Sequence, residues 1–322
     1  MIIPPLPTLI YALAKSARPR QWIKNFALFA PLVFSGFFFY TPSDGWPYFW
    51  LVTSAFGVFC VLTSSIYILN DIIDYEADKH HPFKRKRPIA SGLLPIPLAL
   101  TAALLGLLVV IVASLFLNPF FRLIALGYLI LQLLYAKSFK HVPILDVACI
   151  ATGFLLRIYA GSVVVNLHMN VWFLLTVISA SLFIAVAKRQ SERTLLASNN
   201  EDIGQTRKIL KRYSERLLDQ YTSMFATATW LTYALFAFQY QSDDAVFKLT
   251  TALPLLPRSL QTQKLLMLSV PFVIFGVMRY LQLVYENNRG ESPDQVLVND
   301  KPLLYTAFGF TLAIMVILYV LQ

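Results

Sequence analysis

Charged residues are scarce in this chain. Only 14% of its 322 residues are Asp, Glu, Lys or Arg, whereas soluble domains carry about 25%. Hydrophobic residues account for 57% of the sequence, and the mean hydropathy is +0.61. The shortage of charge excludes an ordinary soluble protein and predicts an integral membrane protein.

Cysteine is also scarce: the chain has two, Cys60 and Cys149, and both lie inside apolar runs. Two such residues provide neither a disulfide framework nor the spacing of a metal site, so we interpret both as core residues. No cation precedes the first apolar stretch, and we therefore expect no cleavable signal peptide. The sequence shows no internal repeat of the kind found in two-half transporters.

The apolar runs lack the alternation of polar and apolar residues that is typical of a transmembrane β-barrel. They are continuous instead, and a helix needs about 20 such residues to cross a hydrocarbon core about 30 Å thick. We predict an all-α polytopic membrane protein that forms a single membrane domain over residues 1–322, with a short interfacial helix at 6–15. The nine predicted spans are 22–40, 48–69, 94–117, 119–136, 143–165, 170–187, 220–240, 265–287 and 301–321.

Lysine and arginine are unevenly distributed between the predicted loops. With a cytoplasmic N-terminus, 21 of the 27 Lys and Arg residues lie in the N-terminal segment and in the loops after even-numbered spans, and four lie in the opposite loops. The positive-inside rule therefore predicts a multi-pass protein of the plasma membrane whose N-terminus is cytoplasmic. Membrane topology accounts for the net charge of +10, so we expect no nucleic-acid partner.

An acidic motif, NDIIDYEAD, follows the second predicted span directly. Asn70, Asp74 and Asp78 are each one helical repeat apart, and Asp71 lies beside them. One interpretation is a solvated loop in which the following cations, Lys84 to Arg87, balance the carboxylates. The other is a Mg²⁺ site, because carboxylate and amide oxygens are ligands of this ion, which substrate phosphates commonly share.

Further polar residues are predicted on the same side of the membrane. The loop after the sixth span begins with Lys188, Arg189 and Glu192, and charges four residues apart indicate a helix end. Lys140 lies in the loop after the fourth span. The N-terminal segment contributes Arg18, Arg20, Gln21, Lys24 and Asn25. We expect these side chains to converge with the acidic motif at one cytoplasmic active-site mouth.

Five segments together carry a resemblance to the UbiA superfamily of intramembrane prenyltransferases: NDIIDYEAD, HPFKRKRPIASG, YAKSFKH, LLRIYAG and RGESPDQVL. The resemblance implies a bundle of nine transmembrane helices. It also implies that a prenyl diphosphate binds through Mg²⁺ held by two Asp-rich motifs. This sequence departs from that pattern, because Lys188-Arg189-Gln190-Ser191-Glu192 stands where the second Asp-rich motif is expected.

The departure resembles one branch of the superfamily, the decaprenyl-phosphate phosphoribosyltransferases, whose members carry RPRQW and Lys-Arg-x-x-Glu in these positions. The branch implies transfer of 5-phosphoribose from phosphoribosyl diphosphate to a polyprenyl phosphate, for cell-wall arabinan precursor synthesis. The expected roles are a catalytic Mg²⁺ site at Asn70, Asp71, Asp74 and Asp78; donor binding by Lys84, Arg85, Arg87, Lys140, Lys188, Arg189 and Glu192; and lipid-phosphate binding by Arg20, Gln21 and Lys24.

Two other functions remain as alternatives. A UbiA-type aromatic prenyltransferase would move a prenyl group from a prenyl diphosphate to an aromatic acceptor, and a second Asp-rich motif would favour it. A membrane transporter for an anionic metabolite would use the polar mouth as its binding site and would predict inverted repeats. Arg157, inside the fifth predicted span, is open to a structural role or to substrate contact.

Overall fold

The computed structural model describes residues 5–80, 84–198, 212–240, 264–286 and 299–321, and the regular elements in these ranges are helices, as predicted. The α-helices are α1 Leu6–Ala17, α2 Ala30–Phe34, α3 Tyr48–Ile73, α4 Tyr75–His80, α5 Ile96–Ser114, α6 Pro119–Lys137, α7 Leu145–Val164, α8 Val171–Ser198, α9 Glu215–Gln239, α10 Val270–Tyr285 and α11 Lys301–Tyr319. Shorter 3₁₀ segments cover Pro19–Phe29, Lys84–Lys86, Phe139–His141 and Leu265–Ser269.

Seven helices among the described residues are long and apolar enough to cross a membrane: Tyr48–Ile73, Ile96–Ser114, Pro119–Lys137, Leu145–Val164, Val171–Thr194, Leu265–Tyr285 and Lys301–Tyr319. They coincide with seven of the nine predicted spans and show the expected multi-pass membrane protein. The count of nine is not confirmed for the part of the chain that the structure describes.

The first predicted span, 22–40, is not the continuous helix that we expected. Pro19–Phe29 forms a 3₁₀ helix and α2 has only five residues. Pro31 lacks the backbone N–H that a continuous helix needs at this point, and Gly36 has a φ of 79° that ends the helix. The seventh predicted span corresponds to α9, whose 25 residues include four threonines that lower its hydropathy.

The helices form two compact units. The first comprises Met1–Leu32 and Phe38–Leu167, and its central element is α3, which packs against α5, α6, α7 and Pro19–Phe29. Its core is formed by buried apolar side chains, including Leu28, Phe59, Phe121, Tyr128 and Ala160. The prediction of a single membrane domain stays a prediction.

A close backbone contact joins the segment Pro19–Phe29 to α7. A Cβ atom added to Gly161 would overlap the backbone carbonyl of Leu28. Small residues at helix contacts allow backbones to approach in this way. The absence of a side chain at Gly161 therefore determines how closely the 3₁₀ segment packs on α7.

The second unit comprises Val33–Phe37 and His168–Gln322. In its described residues, α8 packs along α9, and α10 packs against both of them and against α11. The core between α8, α9, α10 and α11 contains Phe183, Ala226, Tyr280, Leu283 and Leu303. This arrangement supports the last turns of α8, which carry Lys188 and Arg189.

The acidic motif lies where α3 passes into α4. At 26 residues, α3 is about 39 Å long, which is longer than a hydrocarbon core of about 30 Å. Asp74 separates the two helices with φ −86° and ψ 3°, and its backbone N–H still donates to the carbonyl of Asn70. The two helices therefore carry Asp71 and Asp78 on either side of a slight break at Asp74.

We predict that Gly161→Ala destabilises the protein, because the new methyl group must displace the backbone of Leu28. Overpacking of this kind typically costs about 1–3 kcal/mol. Gly57→Ala is the matched control, since a Cβ at Gly57 in α3 meets nothing within 4 Å. Thermal unfolding in detergent should show a lower Tm for Gly161→Ala alone, and equal Tm values for both variants would contradict the close contact.

Candidate active site

Asp71 is buried at the end of α3 and is compensated by two arginines. Its carboxylate is 2% exposed. Asp71 Oδ1 accepts a hydrogen bond from Arg18 Nη2 at 2.5 Å and another from Arg87 Nη1 at 3.1 Å. A buried carboxylate is stable only when it is paired and hydrogen-bonded, so these two guanidinium groups make the position possible.

Arg87 also binds the second buried carboxylate of the motif. Its Nη1 donates to Asp78 Oδ2 at 2.6 Å, and Asp78 is 2% exposed. The loop that carries Arg87 is ordered: the N–H of Ser91 donates to the carbonyl of Arg87 at 2.8 Å, and Ile89 is buried. Arg87 therefore connects the end of α3 to α4 through one guanidinium group.

The third carboxylate has a different cation. Lys140 Nζ lies 2.6 Å from Asp74 Oδ1, and about a fifth of each side chain is exposed. Lys140 belongs to the short 3₁₀ helix Phe139–His141 after α6. The structure thus brings Asp71 and Asp78 together around Arg87 and pairs Asp74 with Lys140, while the half-buried Asn70 lies one turn before Asp74.

The remaining cations near the motif are more exposed. Lys84 and Arg85 lie on the 3₁₀ turn Lys84–Lys86, and neither is buried. Lys79, on α4, lies over the ring of Tyr75 at 4.0 Å. Its hydrogen bond with Tyr75, followed by the nearby Glu76, raises the pKa of the ammonium group. Lys79 is therefore held by Tyr75 and Glu76 on its own helix.

Arg18, which the sequence predicts at the mouth without a specific role, contacts Asp71 in the acidic site. It ends α1 in the left-handed conformation, with φ 52° and ψ 59°, and its guanidinium lies 4.9 Å from the centre of the Tyr67 ring. The helix end at Arg18 could have been predicted, because Pro19 follows it and the residue before a proline is disfavoured in the α-region.

The residues predicted to bind a lipid phosphate lie on the 3₁₀ segment Pro19–Phe29. Arg20 is exposed, while Gln21 and Lys24 are partly buried. Between them, Trp22 Nε1 donates to Ser64 Oγ at 3.0 Å, and Ser64 Oγ donates to the carbonyl of Ala17. The segment is therefore attached to α3 at its beginning.

The second unit carries the other predicted group inside α8, which continues to Ser198, so the prediction of a helix end and a loop directly after residue 187 was wrong. The Arg189 side chain is 2% exposed, and its Nη1 donates to Glu192 Oε2 at 2.9 Å. Lys188 Nζ is 4.0 Å from Glu192 Oε1 and is more exposed. Two cations and one carboxylate therefore leave net positive charge in this group.

A second polar network, which the sequence did not predict, lies beside this group. Asp219 Oδ1, near the start of α9, accepts hydrogen bonds from Gln190 Nε2 at 2.8 Å and from the hydroxyl of Tyr285 at 2.9 Å. It connects α8, α9 and α10. The motif RGESPDQVL lies entirely outside the described residues, as does the start of HPFKRKRPIASG.

The acidic motif provides the oxygen ligands that Mg²⁺ prefers, three carboxylates and one amide. Among the described residues, no group of three His, Cys, Asp or Glu side chains has the arrangement of a metal site. The reason is visible in the contacts: Arg18, Arg87 and Lys140 hold the carboxylate oxygens. The chemistry of these residues fits Mg²⁺, provided that the carboxylates exchange these cations for the ion.

Residues 28–299 match the UbiA prenyltransferase family. The decaprenyl-phosphate phosphoribosyltransferase of Corynebacterium glutamicum is 34% identical over 323 residues, which cover 98% of this chain and 90% of that protein. The protein of the same name from Mycolicibacterium smegmatis is 34% identical over 307 residues, which cover 93% of this chain and 90% of that protein.

Solved structures share the fold. A UbiA homolog from Archaeoglobus fulgidus bound to GPP and Mg²⁺ has a TM-score of 0.67 and 17% identity, covering 95% of this chain and 99% of that chain. The same homolog bound to Cd²⁺ has a TM-score of 0.64 at 17% identity, with the same coverage. At this identity the likeness extends to the fold alone.

We predict that Arg87→Gln lowers the stability of the protein, because Asp78 and Asp71 each lose a charged donor while buried. Loss of a partner by a buried polar group costs about 1–3 kcal/mol, and more for charged groups. Arg85→Gln, on the preceding exposed turn, is the control. Thermal unfolding in detergent should separate the two variants. If their Tm values matched the wild type, Arg87 would not be needed to compensate the buried carboxylates.

Proposed function

The chain belongs to the UbiA prenyltransferase family, and we propose that it transfers 5-phosphoribose from phosphoribosyl diphosphate to a polyprenyl phosphate, with release of diphosphate. The observation that carries the proposal is in the C-terminal half of α8, where the buried Arg189 and the neighbouring Lys188 replace an expected pair of aspartates. The names and coverage of the two relatives described above support it.

The net charge of the proposed substrates explains this replacement. A phosphomonoester carries close to −2 at neutral pH. The donor and the lipid together bring two phosphomonoesters and a diphosphate, on the order of six or seven negative charges. A prenyl diphosphate brings about half as many. Additional cations, rather than additional carboxylates, are suited to the larger negative charge of these substrates.

The transfer itself needs little acid–base chemistry. The lipid phosphate is already an anionic nucleophile, so binding and charge stabilisation account for most of the catalysis. One of its oxygens forms a bond to C1 of the ribose, while the bond from C1 to the diphosphate breaks and the diphosphate leaves with the electron pair. We assign the lipid phosphate to Arg20, Gln21 and Lys24.

We assign the donor to cations near the acidic motif and to cations of α8. Lys84, Arg85, Arg87 and Lys140 are suited to the diphosphate oxygens, because guanidinium and ammonium groups form charge-assisted hydrogen bonds with them. Lys188 and Arg189 are assigned to donor phosphates, and Glu192 to a sugar hydroxyl. Arg87 and Lys140 bind carboxylates in the free protein, so donor binding would exchange one anionic partner for another.

We assign Asn70, Asp71, Asp74 and Asp78 to a Mg²⁺ ion, which would neutralise charge on the departing diphosphate. The carboxylates would bind it as Arg87 and Lys140 turn to the donor. Solved structures of UbiA homologs with bound divalent cations are consistent with this assignment. The uneven distribution of lysine and arginine supports a cytoplasmic active site in the plasma membrane. Supply of an arabinan precursor stays a prediction.

We predict that the wild type binds phosphoribosyl diphosphate saturably and that Lys188→Gln weakens this binding about 10- to 100-fold, as expected for one lost charge-assisted contact. Lys188 is the first choice because it is partly exposed, so its loss should leave the fold intact. Arg193→Gln, one turn further along α8, is the matched control. Titrations with phosphoribosyl diphosphate and geranyl diphosphate decide the assignment. Saturable binding of geranyl diphosphate alone would refute phosphoribosyl transfer and favour the aromatic prenyltransferase.

We also predict that Asp74→Asn leaves a folded protein with almost no turnover, because a neutral amide is a poorer ligand for Mg²⁺ than a carboxylate. Asp44→Asn, which removes an exposed carboxylate between α2 and α3, should behave as wild type. Donor binding measured with Mg²⁺ and with a chelator gives a second readout. Binding by the wild type and by Asp44→Asn should differ between the two conditions, whereas binding by Asp74→Asn should be the same in both. Full turnover in Asp74→Asn, or in the presence of a chelator, would rule out the metal assignment.

A further inference from the structure

The segment Pro19–Phe29 is an 11-residue 3₁₀ helix, whereas such helices rarely exceed three or four residues because their hydrogen-bond geometry is poor. A segment of this length needs support from its surroundings. It carries Arg20, Gln21 and Lys24, which we assign to the lipid phosphate. Its stability therefore bears directly on the proposed lipid site.

Asn25, near the middle of the segment, is fully buried. Its Nδ2 donates to Thr63 Oγ1 at 3.2 Å, which attaches the segment to α3. Its Oδ1 accepts a hydrogen bond from Arg157 Nε at 3.0 Å, which attaches the segment to α7. One amide side chain thus joins the 3₁₀ segment to two helices.

Arg157 is 5% exposed and makes three hydrogen bonds to neutral oxygens. In addition to Asn25, Nη1 donates to the carbonyl of Gly153 at 3.0 Å, and Nη2 donates to the hydroxyl of Tyr128 at 2.5 Å. The guanidinium also lies 4.8 Å from the centre of the Tyr128 ring. A cation inside an apolar span is costly and is usually retained for function.

We propose that Arg157 is a positioning residue: through Asn25 it fixes the segment Pro19–Phe29 and thereby the groups that bind the lipid phosphate. The planar guanidinium reaches α6, its own helix α7 and the segment at the same time, which a lysine ammonium cannot reproduce with fixed geometry. The proposal rests on the assignment of Arg20, Gln21 and Lys24 to the lipid under the proposed function.

The test uses Arg157→Lys, Arg157→Met, Asn25→Ala and the double variant Arg157→Met/Asn25→Ala. Ser162→Ala is the matched control, because Ser162 is also buried on α7 and donates one hydrogen bond, to the carbonyl of Leu167, at 2.6 Å. The first readout is amide hydrogen exchange of residues 20–29 in detergent. The second compares KM for polyprenyl phosphate with KM for phosphoribosyl diphosphate.

For Arg157→Met and for Asn25→Ala, we expect faster amide exchange in residues 20–29. We also expect the KM for polyprenyl phosphate to rise about 10-fold or more, as for loss of one hydrogen bond from a charged donor. The KM of the donor should change less than threefold. Arg157→Lys should restore part of the loss. The double variant should be no worse than the stronger single variant, because both changes break the same connection.

Additive effects in the double variant would overturn the proposal, since Arg157 would then act independently of Asn25. Unchanged exchange in residues 20–29, or equal effects on both KM values, would overturn it as well. If Arg157→Met does not fold, Arg157→Lys and Asn25→Ala carry the same comparison. A wild type that does not use polyprenyl phosphate would instead refute the proposed function, while the exchange readout would still test the positioning role.

Discussion

The compensation of two buried carboxylates by Arg87 is the interaction on which the acidic site depends. Asp71 and Asp78 lie on successive helices and are almost fully buried, and a single guanidinium nitrogen reaches both. Removal of a carboxylate from water is costly unless a cation replaces the lost hydration. The position of α4 relative to the end of α3, and the path of the loop after α4, are therefore coupled to one side chain.

The loop holds Arg87 in place through apolar contacts. Ile89 and Leu94 are buried against Ala12 of α1, Ile68 of α3 and the start of α5. Burial of these side chains fixes the residues that follow Arg87, so the cation is held near the carboxylates at low entropic cost. The same small core joins α1 to α3, and Arg18, at the end of α1, reaches Asp71 as a consequence. Apolar contacts and ion pairs thus define the same end of the first unit.

The sequence was sufficient to predict those features that follow from local composition. Continuous apolar runs predicted the all-α membrane fold and nine spans, of which seven coincide with long apolar helices among the described residues. The spacing of Asn70, Asp74 and Asp78, with Asp71 beside them, identified the acidic motif. The first span was wrongly predicted as one continuous helix, because we gave its hydropathy more weight than the helix-breaking effect of Pro31. In α9, threonines make the helix less apolar than a typical span, although many of them satisfy their hydroxyls within the helix, as Thr222 does with the carbonyl of Leu218.

The partners of the site residues could not be predicted in the same way. The pairing of Asp74 with Lys140 joins residues 66 positions apart, and that of Arg157 with Asn25 joins residues 132 apart. Such contacts depend on the tertiary arrangement of helices, which local patterns do not specify. The contacts to Asn25, Gly153 and Tyr128 give each of the three guanidinium nitrogens of Arg157 a hydrogen-bond partner, and they support the positioning role that we propose.

Product formation by the purified wild-type protein tests the central claim most directly. The protein would be incubated with Mg²⁺, a polyprenyl phosphate and phosphoribosyl diphosphate labelled in the ribose. We expect the label to enter the lipid phase as polyprenyl-phosphoryl phosphoribose, with one diphosphate released for each lipid modified. Absence of labelled lipid, together with transfer of a prenyl group from geranyl diphosphate to an aromatic acceptor, would contradict phosphoribosyl transfer.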